Sequence, residues 1–228
     1  NDSDLDGISG KANWVYSPES KEKVLGRFTW KASAPSVRFQ VARAAHSDMG
    51  LTNVYFPHEN CTAVQKECLN APKGKHALDV SNKRLDYMSF YTSSLMVPMQ
   101  RDAQEVKEGA ILFEQLNCHA CHVDTYTTQK GSVIHPFTDL LLHDMGEGLA
   151  DEVGEFLAEG QEWRTAPLWG LGLRKRVGLE ANFLHDGRAK SIEEAILWHG
   201  GEALQSKNNY MKLGLDQRKT LLQFLNSL

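Results

Sequence analysis

The sequence lacks several features that would place it in a familiar class of protein. Lys and Arg are not clustered and the formal net charge is −4, so nothing favours nucleic acid or an anionic membrane surface as partner. No apolar run approaches the roughly 20 residues that cross a bilayer, so we expect a chain that does not span a membrane. No Ser/His/Asp order, phosphate-binding glycine loop or paired-carboxylate motif stands out.

Cysteine is scarce too, and spacing divides the four cysteines into two pairs. Cys118 and Cys121 belong to the run Cys-His-Ala-Cys-His at residues 118–122, the attachment signature of a c-type haem. Each thiol can form a thioether to the haem edge, and His122 then lies under the iron as its proximal ligand. A zinc half-site would need a second Cys/His pair and a thioredoxin-like dithiol an α/β pattern, and neither is present. We therefore predict one covalent haem c and redox chemistry.

Cys61 and Cys68 form the second pair, at a spacing that can close a small disulfide loop in an oxidising compartment. A structural disulfide is favoured over a reactive dithiol. Covalent haem and a disulfide together predict a periplasmic or otherwise exported protein. The sequence begins at Asn1 without an initiator Met or a signal sequence, so we expect a processed or truncated product.

An acidic segment at the start follows the first half of a calcium loop, in which alternate carboxylates point to one centre. The ligands it would supply are Asp2, Asp4, Asp6 and the carbonyl of Ile8. The last loop position is Asn13, a weaker ligand than the usual Glu. Calcium is therefore a candidate second cofactor, and a solvated acidic terminus is the alternative.

The pattern changes near residue 100. Residues 1–100 are rich in turn residues and predict an irregular segment with one helix over residues 33–49, entered through Pro35. Residues 86–99 read as an extended or irregular connector, which ends at Pro98. This part should hold the acidic loop and the disulfide.

Residues 101–228 instead predict a small helical cytochrome. A helix over residues 102–116 leads into Cys118, and a terminal helix over residues 216–227 starts at an Asp216 N-cap. Gly109 would let these two helices approach closely. The predicted fold is mainly α, a class I cytochrome c-like helical domain preceded by an irregular, loop-rich segment.

A second axial ligand is needed, because His122 fills one position on the iron. The candidates are Met145, His143, His185, His199 and Met211. His199 ends a helix that a capping box predicts from Ser191, and Gly200 and Gly201 follow it, so its imidazole can face a flat cofactor. Met145 is the main competitor, and an ordinary helix-terminal role for His199 stays open. Arg164 and Arg188 could pair with haem propionates, or could face solvent.

Several segments together resemble the di-haem oxidoreductase family, whose members are described as peroxidases or thiol oxidoreductases. The segments are residues 1–14, 26–32, 46–50, the Cys61/Cys68 segment, and residues 139–146, 164–170 and 183–188. The resemblance covers nearly the whole chain and extends, more distantly, to the bacterial di-haem cytochrome c peroxidases. At the place where those relatives carry the distal ligand, a Met in the peroxidases, this sequence has His199. The resemblance thus implies bis-histidine ligation, with Met145 as a pocket residue.

Members of that family carry two haem sites, whereas this sequence has one C-x-x-C-H motif. The resemblance therefore implies that the chain matches the C-terminal haem portion. It would relay electrons through a six-coordinate haem to a second haem that is not in this sequence, with a redox partner protein or a second haem domain as partner. The alternatives are a stand-alone mono-haem electron-transfer cytochrome without catalysis, and a structural or assembly haem module.

Overall fold

The computed structural model describes residues 6–178 and 182–228, which form two compact units. The motif unit, named for its C-x-x-C-H motif, comprises the residues up to Asn13 together with Trp30–Ala32 and Val97–Leu228. The second unit comprises Trp14–Thr29 and Ser33–Met96. No helix in the described ranges is long and apolar enough to cross a membrane.

The second unit is a strand pair with three helices. Its elements are β1 (Trp14–Ser17), β2 (Glu22–Leu25), α1 (Val37–Ser47), α2 (Lys66–Asn70) and α3 (Asn82–Ser93). β1 and β2 are antiparallel, and a small core joins α1 to α3 through Ala42, Ala45, Val80 and Leu85. The helix predicted over residues 33–49 is confirmed in a shorter form, because the Ser36 hydroxyl caps it by accepting from Phe39 N at 3.0 Å.

The irregular connector predicted over residues 86–99 is wrong in its first part, which α3 covers up to Ser93, whereas residues 94–99 are irregular as predicted. The Ser81 hydroxyl caps this helix by accepting from Arg84 N at 3.4 Å. Leu85 is buried, whereas Tyr87, Phe90 and Tyr91 are exposed. The helix therefore has no apolar stripe facing a core. Such a stripe is the feature by which a helix is recognised from sequence.

The two cysteines of the predicted disulfide lie next to each other. The sulfur atoms of Cys61 and Cys68 lie at bonding distance, and their Cα atoms are 6.0 Å apart. The bridge ties the loop before α2 to α2 itself.

The motif unit combines short helices with two small antiparallel sheets and long connecting loops, so it is mixed and loop-rich. Its helices are α4 (Lys107–Gln115), α5 (Arg174–Val177), α6 (Ile192–Trp198), α7 (Leu204–Met211) and α8 (Leu215–Ser227). Its strands are β3 (Tyr126–Thr127), β4 (Val133–Ile134), β5 (Leu142–Asp144) and β6 (Glu162–Arg164), and β3 pairs with β4 and β5 with β6. Single 3₁₀ turns cover Cys118–Ala120, Glu147–Leu149, Leu171–Leu173 and Gly201–Ala203.

The predicted close approach of the helix before Cys118 and the terminal helix is confirmed. A Cβ on Gly109 of α4 would lie 2.5 Å from both Phe224 Cβ and Thr220 O of α8, so this contact requires a glycine. Phe113 of α4 packs on Phe224 at 5.5 Å between ring centres and on Phe137 at 6.0 Å. The crossing fixes the end of α4, from which the chain enters the motif.

Both helices begin at residues other than those predicted. α4 begins at Lys107 rather than 102, because Asp102 has φ of +53° and cannot continue a right-handed helix. α8 begins at Leu215 with Gly214 as N-cap, so the prediction of Asp216 as N-cap is wrong. Gln217 accepts from Gly214 N at 3.1 Å, which leaves Asp216 in the first turn.

Candidate haem site

The C-x-x-C-H motif is a tight turn directly after α4. Asn117 ends the helix with φ of +61°, a conformation that Asn adopts more readily than most residues. A 3₁₀ turn over Cys118–Ala120 follows, and His122 N donates to Cys118 O at 3.0 Å. This turn brings Cys118, Cys121 and His122 to one cavity of the motif unit.

The cavity has a volume of about 250 Å³ and is partly open to solvent. Its lining is mostly apolar, and it includes Phe113, Leu116, Leu168 and Phe183. His122 and His199 both line it, although they are 77 residues apart in sequence. A large apolar cavity with a few convergent polar groups is the usual form of a cofactor site.

Only one of the two ring nitrogens of His122 is hydrogen-bonded within the described residues. Its Nδ1–H donates to Phe137 O at 2.9 Å, and no partner for Nε2 occurs among the described residues. Burial and, to a smaller extent, charge repulsion from His199 together lower the pKa of His122 to about 4, against the opposing hydrogen bond to Phe137. The imidazole is therefore neutral at pH 7 and carries a lone pair on Nε2, the state that an iron ligand requires.

His199 has the same arrangement at the end of α6. The Ser191 hydroxyl accepts from Glu194 N at 3.0 Å, which confirms the predicted start of this helix, and His199 is its C-cap. His199 Nδ1–H donates to Ala195 O at 2.7 Å, and in the described chain Nε2 has no hydrogen-bond partner. Burial lowers the pKa of His199 as well. Both rings are half-buried because one edge faces the cavity.

The two motif cysteines are free thiols in the structure. Burial raises the pKa of Cys118 to about 12, and the neighbouring Cys121 adds to the effect. A thiol with so high a pKa is a poor nucleophile and a poor redox dithiol partner. Within the described ranges no three His, Cys, Asp or Glu side chains are grouped to hold a metal ion.

The other ligand candidates are placed differently. Met145 lines the same cavity, so it stays an alternative to His199. Met211 is 47% exposed and does not line the cavity. His185 lines the wall, stacked on Trp163 with 3.6 Å between ring centres, and burial lowers its pKa.

His143 cannot bind iron as it lies, because both of its nitrogens are engaged. It is 3% exposed, with Nε2 2.8 Å from Asp139 Oδ2 and Nδ1 2.7 Å from Glu202 Oε2. Burial opposes the charged ring, but the hydrogen bonds to Asp139, Cys121 and Glu202 outweigh it and raise the pKa of His143 to about 11. His143 is thus a buried imidazolium at the edge of the cavity.

The structure brings one of the two predicted arginines to the cavity. Arg164 lines it and donates to Thr165 O at 3.2 Å, and burial lowers its pKa while Asp139 opposes that shift. Arg188 does not line the cavity; it pairs with Asp186 and lies 4.6 Å from the Trp198 ring centre. Arg164 is therefore the better-placed partner for a propionate.

Sequence reasoning missed Lys31, a lysine only 2% exposed. Its ammonium donates to Asp151 at 2.9 Å and to the carbonyls of Val153 at 2.6 Å and Glu159 at 2.9 Å. It also lies 4.3 Å from the ring centre of Trp163 in the cavity wall. No local pattern indicates this role, because a single lysine ordinarily predicts a surface position.

The predicted calcium ligands are described only in part. Asp2 and Asp4 lie outside the described residues. Asp6 accepts from Ile8 N at 2.8 Å, which is an Asx turn, and the calcium site stays a prediction.

Comparison with known proteins places the chain in a family. The family model described as "Di-haem oxidoreductase, putative peroxidase" matches residues 1–228. A structure of hydrazine synthase from Kuenenia stuttgartiensis, pressurised with xenon, is similar at 19% identity and a TM-score of 0.45. That match covers 66% of this chain and 57% of the hydrazine synthase chain. No curated protein matches.

Proposed function

Because the chain belongs to the di-haem oxidoreductase family, we propose that its motif unit binds one covalent haem c and relays electrons through it. Cys118 and Cys121 would form the thioethers, with His122 and His199 as axial ligands. The electrons would pass to a second haem in another segment or chain. The family description itself supports the coarser statement, a haem-dependent redox function.

The observation that carries this proposal is the matched pair of imidazoles. Each has Nδ1–H tied to a backbone carbonyl, Phe137 O for His122 and Ala195 O for His199. Each is neutral at pH 7, and each lines the cavity that Cys118 and Cys121 also line. A backbone hydrogen bond on the second ring nitrogen is the usual way in which proteins orient a metal-binding histidine.

Bound haem would supply an iron that gains or loses one electron. The chain's own residues would hold it in an apolar cavity, from which Phe113, Leu168 and Phe183 exclude water. Arg164 would neutralise a propionate at the wall. Two axial imidazoles leave no open position for peroxide, which favours electron transfer over O–O cleavage at this site.

Haem attachment is tested first, by retention of haem absorbance on the chain after denaturation. The unchanged chain should retain it, whereas Cys118→Ala and Cys121→Ala should each lose one thioether and the double variant should lose all covalent haem. Cys61→Ala/Cys68→Ala is the matched control, and it should keep its haem. Release of haem from the unchanged chain on denaturation would rule out covalent attachment.

Axial ligation is tested by electron paramagnetic resonance of the ferric protein, before and after hydrogen peroxide is added. A low-spin bis-imidazole signal that peroxide does not change supports electron transfer, whereas a high-spin, peroxide-reactive iron would mean that this haem is catalytic itself. His199→Met should raise the reduction potential, because a thioether replaces a more donating imidazole. Met145→Leu is the control, and a changed spectrum there would instead identify Met145 as the ligand.

We also propose an exported, periplasmic setting, which the covalent haem and the Cys61–Cys68 pair both favour. Calcium at the acidic start of the chain is proposed as a second cofactor. Measurement of calcium in the purified protein, with Asp6→Asn as the variant, tests that part separately.

A further inference from the structure

The buried side chain of His143 connects two parts of the candidate haem site, the loop that orients His122 and the turn that follows His199. It occupies the middle of β5, opposite Trp163 of β6. Its Nε2 donates to Asp139 at 2.8 Å and its Nδ1 to Glu202 at 2.7 Å. A histidine that donates from both nitrogens is a short, rigid bridge, because the ring has no flexible stem beyond χ2.

Asp139 connects this bridge to the His122 side. Asp139 N donates to Cys121 O at 2.9 Å, next to His122 in sequence. Two residues before Asp139 lies Phe137, whose carbonyl accepts the Nδ1–H of His122. A shift of Asp139 would therefore move the groups that orient His122.

Glu202 connects the bridge to the His199 side. It lies three residues after His199, beyond the Gly200–Gly201 turn. A Cβ on Gly200 would be 2.8 Å from Met145 O, and one on Gly201 would be 2.8 Å from Gly146 N, so the turn lies directly on the end of β5. Glu202 also accepts from Ser9 N and Oγ, both at 3.0 Å.

We propose that His143 is a positioning residue that holds His122 and His199 at the separation required for both to bind one haem iron. The Asp139–His143–Glu202 bridge joins the loop that orients one imidazole to the turn that carries the other. The inference rests on the proposed function, since it takes both histidines as ligands. Its consequence is that His143 keeps the distal position closed without contacting the iron.

The test compares His143→Gln and Glu202→Gln with the unchanged holoprotein at one fixed pH. Glu202→Gln weakens one charged hydrogen bond of the bridge and His143→Gln weakens both, and one such bond corresponds to roughly a tenfold or larger change in an equilibrium. We therefore expect a roughly tenfold larger five-coordinate fraction. It should appear as loss of low-spin resonance signal, gain of high-spin signal, and carbon monoxide binding to the reduced form.

His135→Gln is the matched control. His135 is also paired with an aspartate, Asp124 at 2.9 Å, but it is exposed and does not line the cavity. The control should keep the low-spin signal and stay inert to carbon monoxide. Circular dichroism of each variant separates a local change at the iron from loss of the fold.

The outcomes separate the two proposals. A high-spin iron in the unchanged protein would refute the proposed bis-histidine ligation itself. A low-spin unchanged protein with folded variants that are equally low-spin and inert to carbon monoxide would overturn the role of His143 alone. If His143→Gln does not fold, Glu202→Gln decides, because it leaves the His143–Asp139 pair in place.

Discussion

Gly109→Ala tests whether the close crossing of α4 and α8 fixes the start of the haem motif. The added Cβ would lie 2.5 Å from Thr220 O, a backbone atom that cannot move without α8. It would also lie 2.5 Å from Phe224 Cβ, so the helices would have to separate. Gly109→Ala therefore has two opposing effects on stability. Overpacking at the helix crossing lowers the free energy of unfolding, and the higher helix propensity of alanine raises it.

The magnitude follows from these opposing contributions. Alanine is favoured over glycine inside a helix by about 1 kcal/mol. Overpacking costs about 1–3 kcal/mol, and a clash with partner backbone belongs at the upper end. The net loss in the free energy of unfolding should be about 1–2 kcal/mol, which in a protein of this size lowers Tm by roughly 3–6 °C.

Melting followed by haem absorbance reports the unit that contains this crossing. Gly148→Ala is a suitable control, because its Cβ would meet Trp198 no closer than 3.8 Å, an ordinary contact. A Gly109→Ala protein as stable as the unchanged one, or more stable, would refute the argument, since helix propensity would then have outweighed the supposed clash.

Three further predictions concern the interior. Phe224→Ala should lower the free energy of unfolding by about 3–5 kcal/mol in a denaturant titration, because Phe224 contacts both Phe113 and Phe137. Lys31→Met should lower it by about 1–3 kcal/mol, because Asp151 and the carbonyls of Val153 and Glu159 lose the ammonium group that donates to them. Lys11→Met, at a lysine whose side chain is 38% exposed, should cost less than about 1 kcal/mol. His143 has its pKa raised to about 11 from an unfolded value of about 6.5, so its stabilisation is complete below pH 6.5 and is lost as the pH rises toward 11. The denaturation midpoint of the unchanged protein should therefore fall as the pH rises, and His143→Gln should reduce this fall whereas His135→Gln should not. Equal falls in the unchanged protein and both variants would contradict the raised pKa of His143.

The sequence predicts well where a local pattern carries the information. α6 and its end at His199 follow from a Ser cap, an acidic first turn and a pair of glycines, and each is present. The α4 and α8 contact follows from Gly109 and two apolar faces. α3 is missed because Leu85 is its one buried residue, so its helical state comes from capping and local preference rather than from a core-facing stripe.

The hydrogen-bonded network around the cavity depends on approaches that no local pattern encodes. His143 is four residues from Asp139, but Glu202 reaches it only because Gly200 and Gly201 permit the turn to lie on β5. The ammonium of Lys31 donates to backbone carbonyls, and such acceptors have no sequence signature. Residue types that bind iron can thus be found from sequence, whereas the side chains that position them depend on tertiary structure.

The protonation states at the site predict how the reduction potential should respond to pH. In the proposed site, Nε2 of His122 and of His199 would bind the haem iron, while Nδ1–H of each ring donates to a backbone carbonyl. Neither ring would then have a proton to exchange near pH 7. Burial opposes the charged form of His143, but the hydrogen bonds to Asp139 and Glu202, which a thioether at Cys121 would leave in place, raise its pKa, so this ring should stay charged in that range. Electron transfer should therefore proceed without proton uptake between pH 6 and 8, and a spectroelectrochemical titration should give a slope far below the roughly 59 mV per pH unit of a one-proton, one-electron couple. A slope near that value would mean that a cavity group such as His185 takes up a proton on reduction, and the site would then couple protons to electrons rather than relay electrons alone.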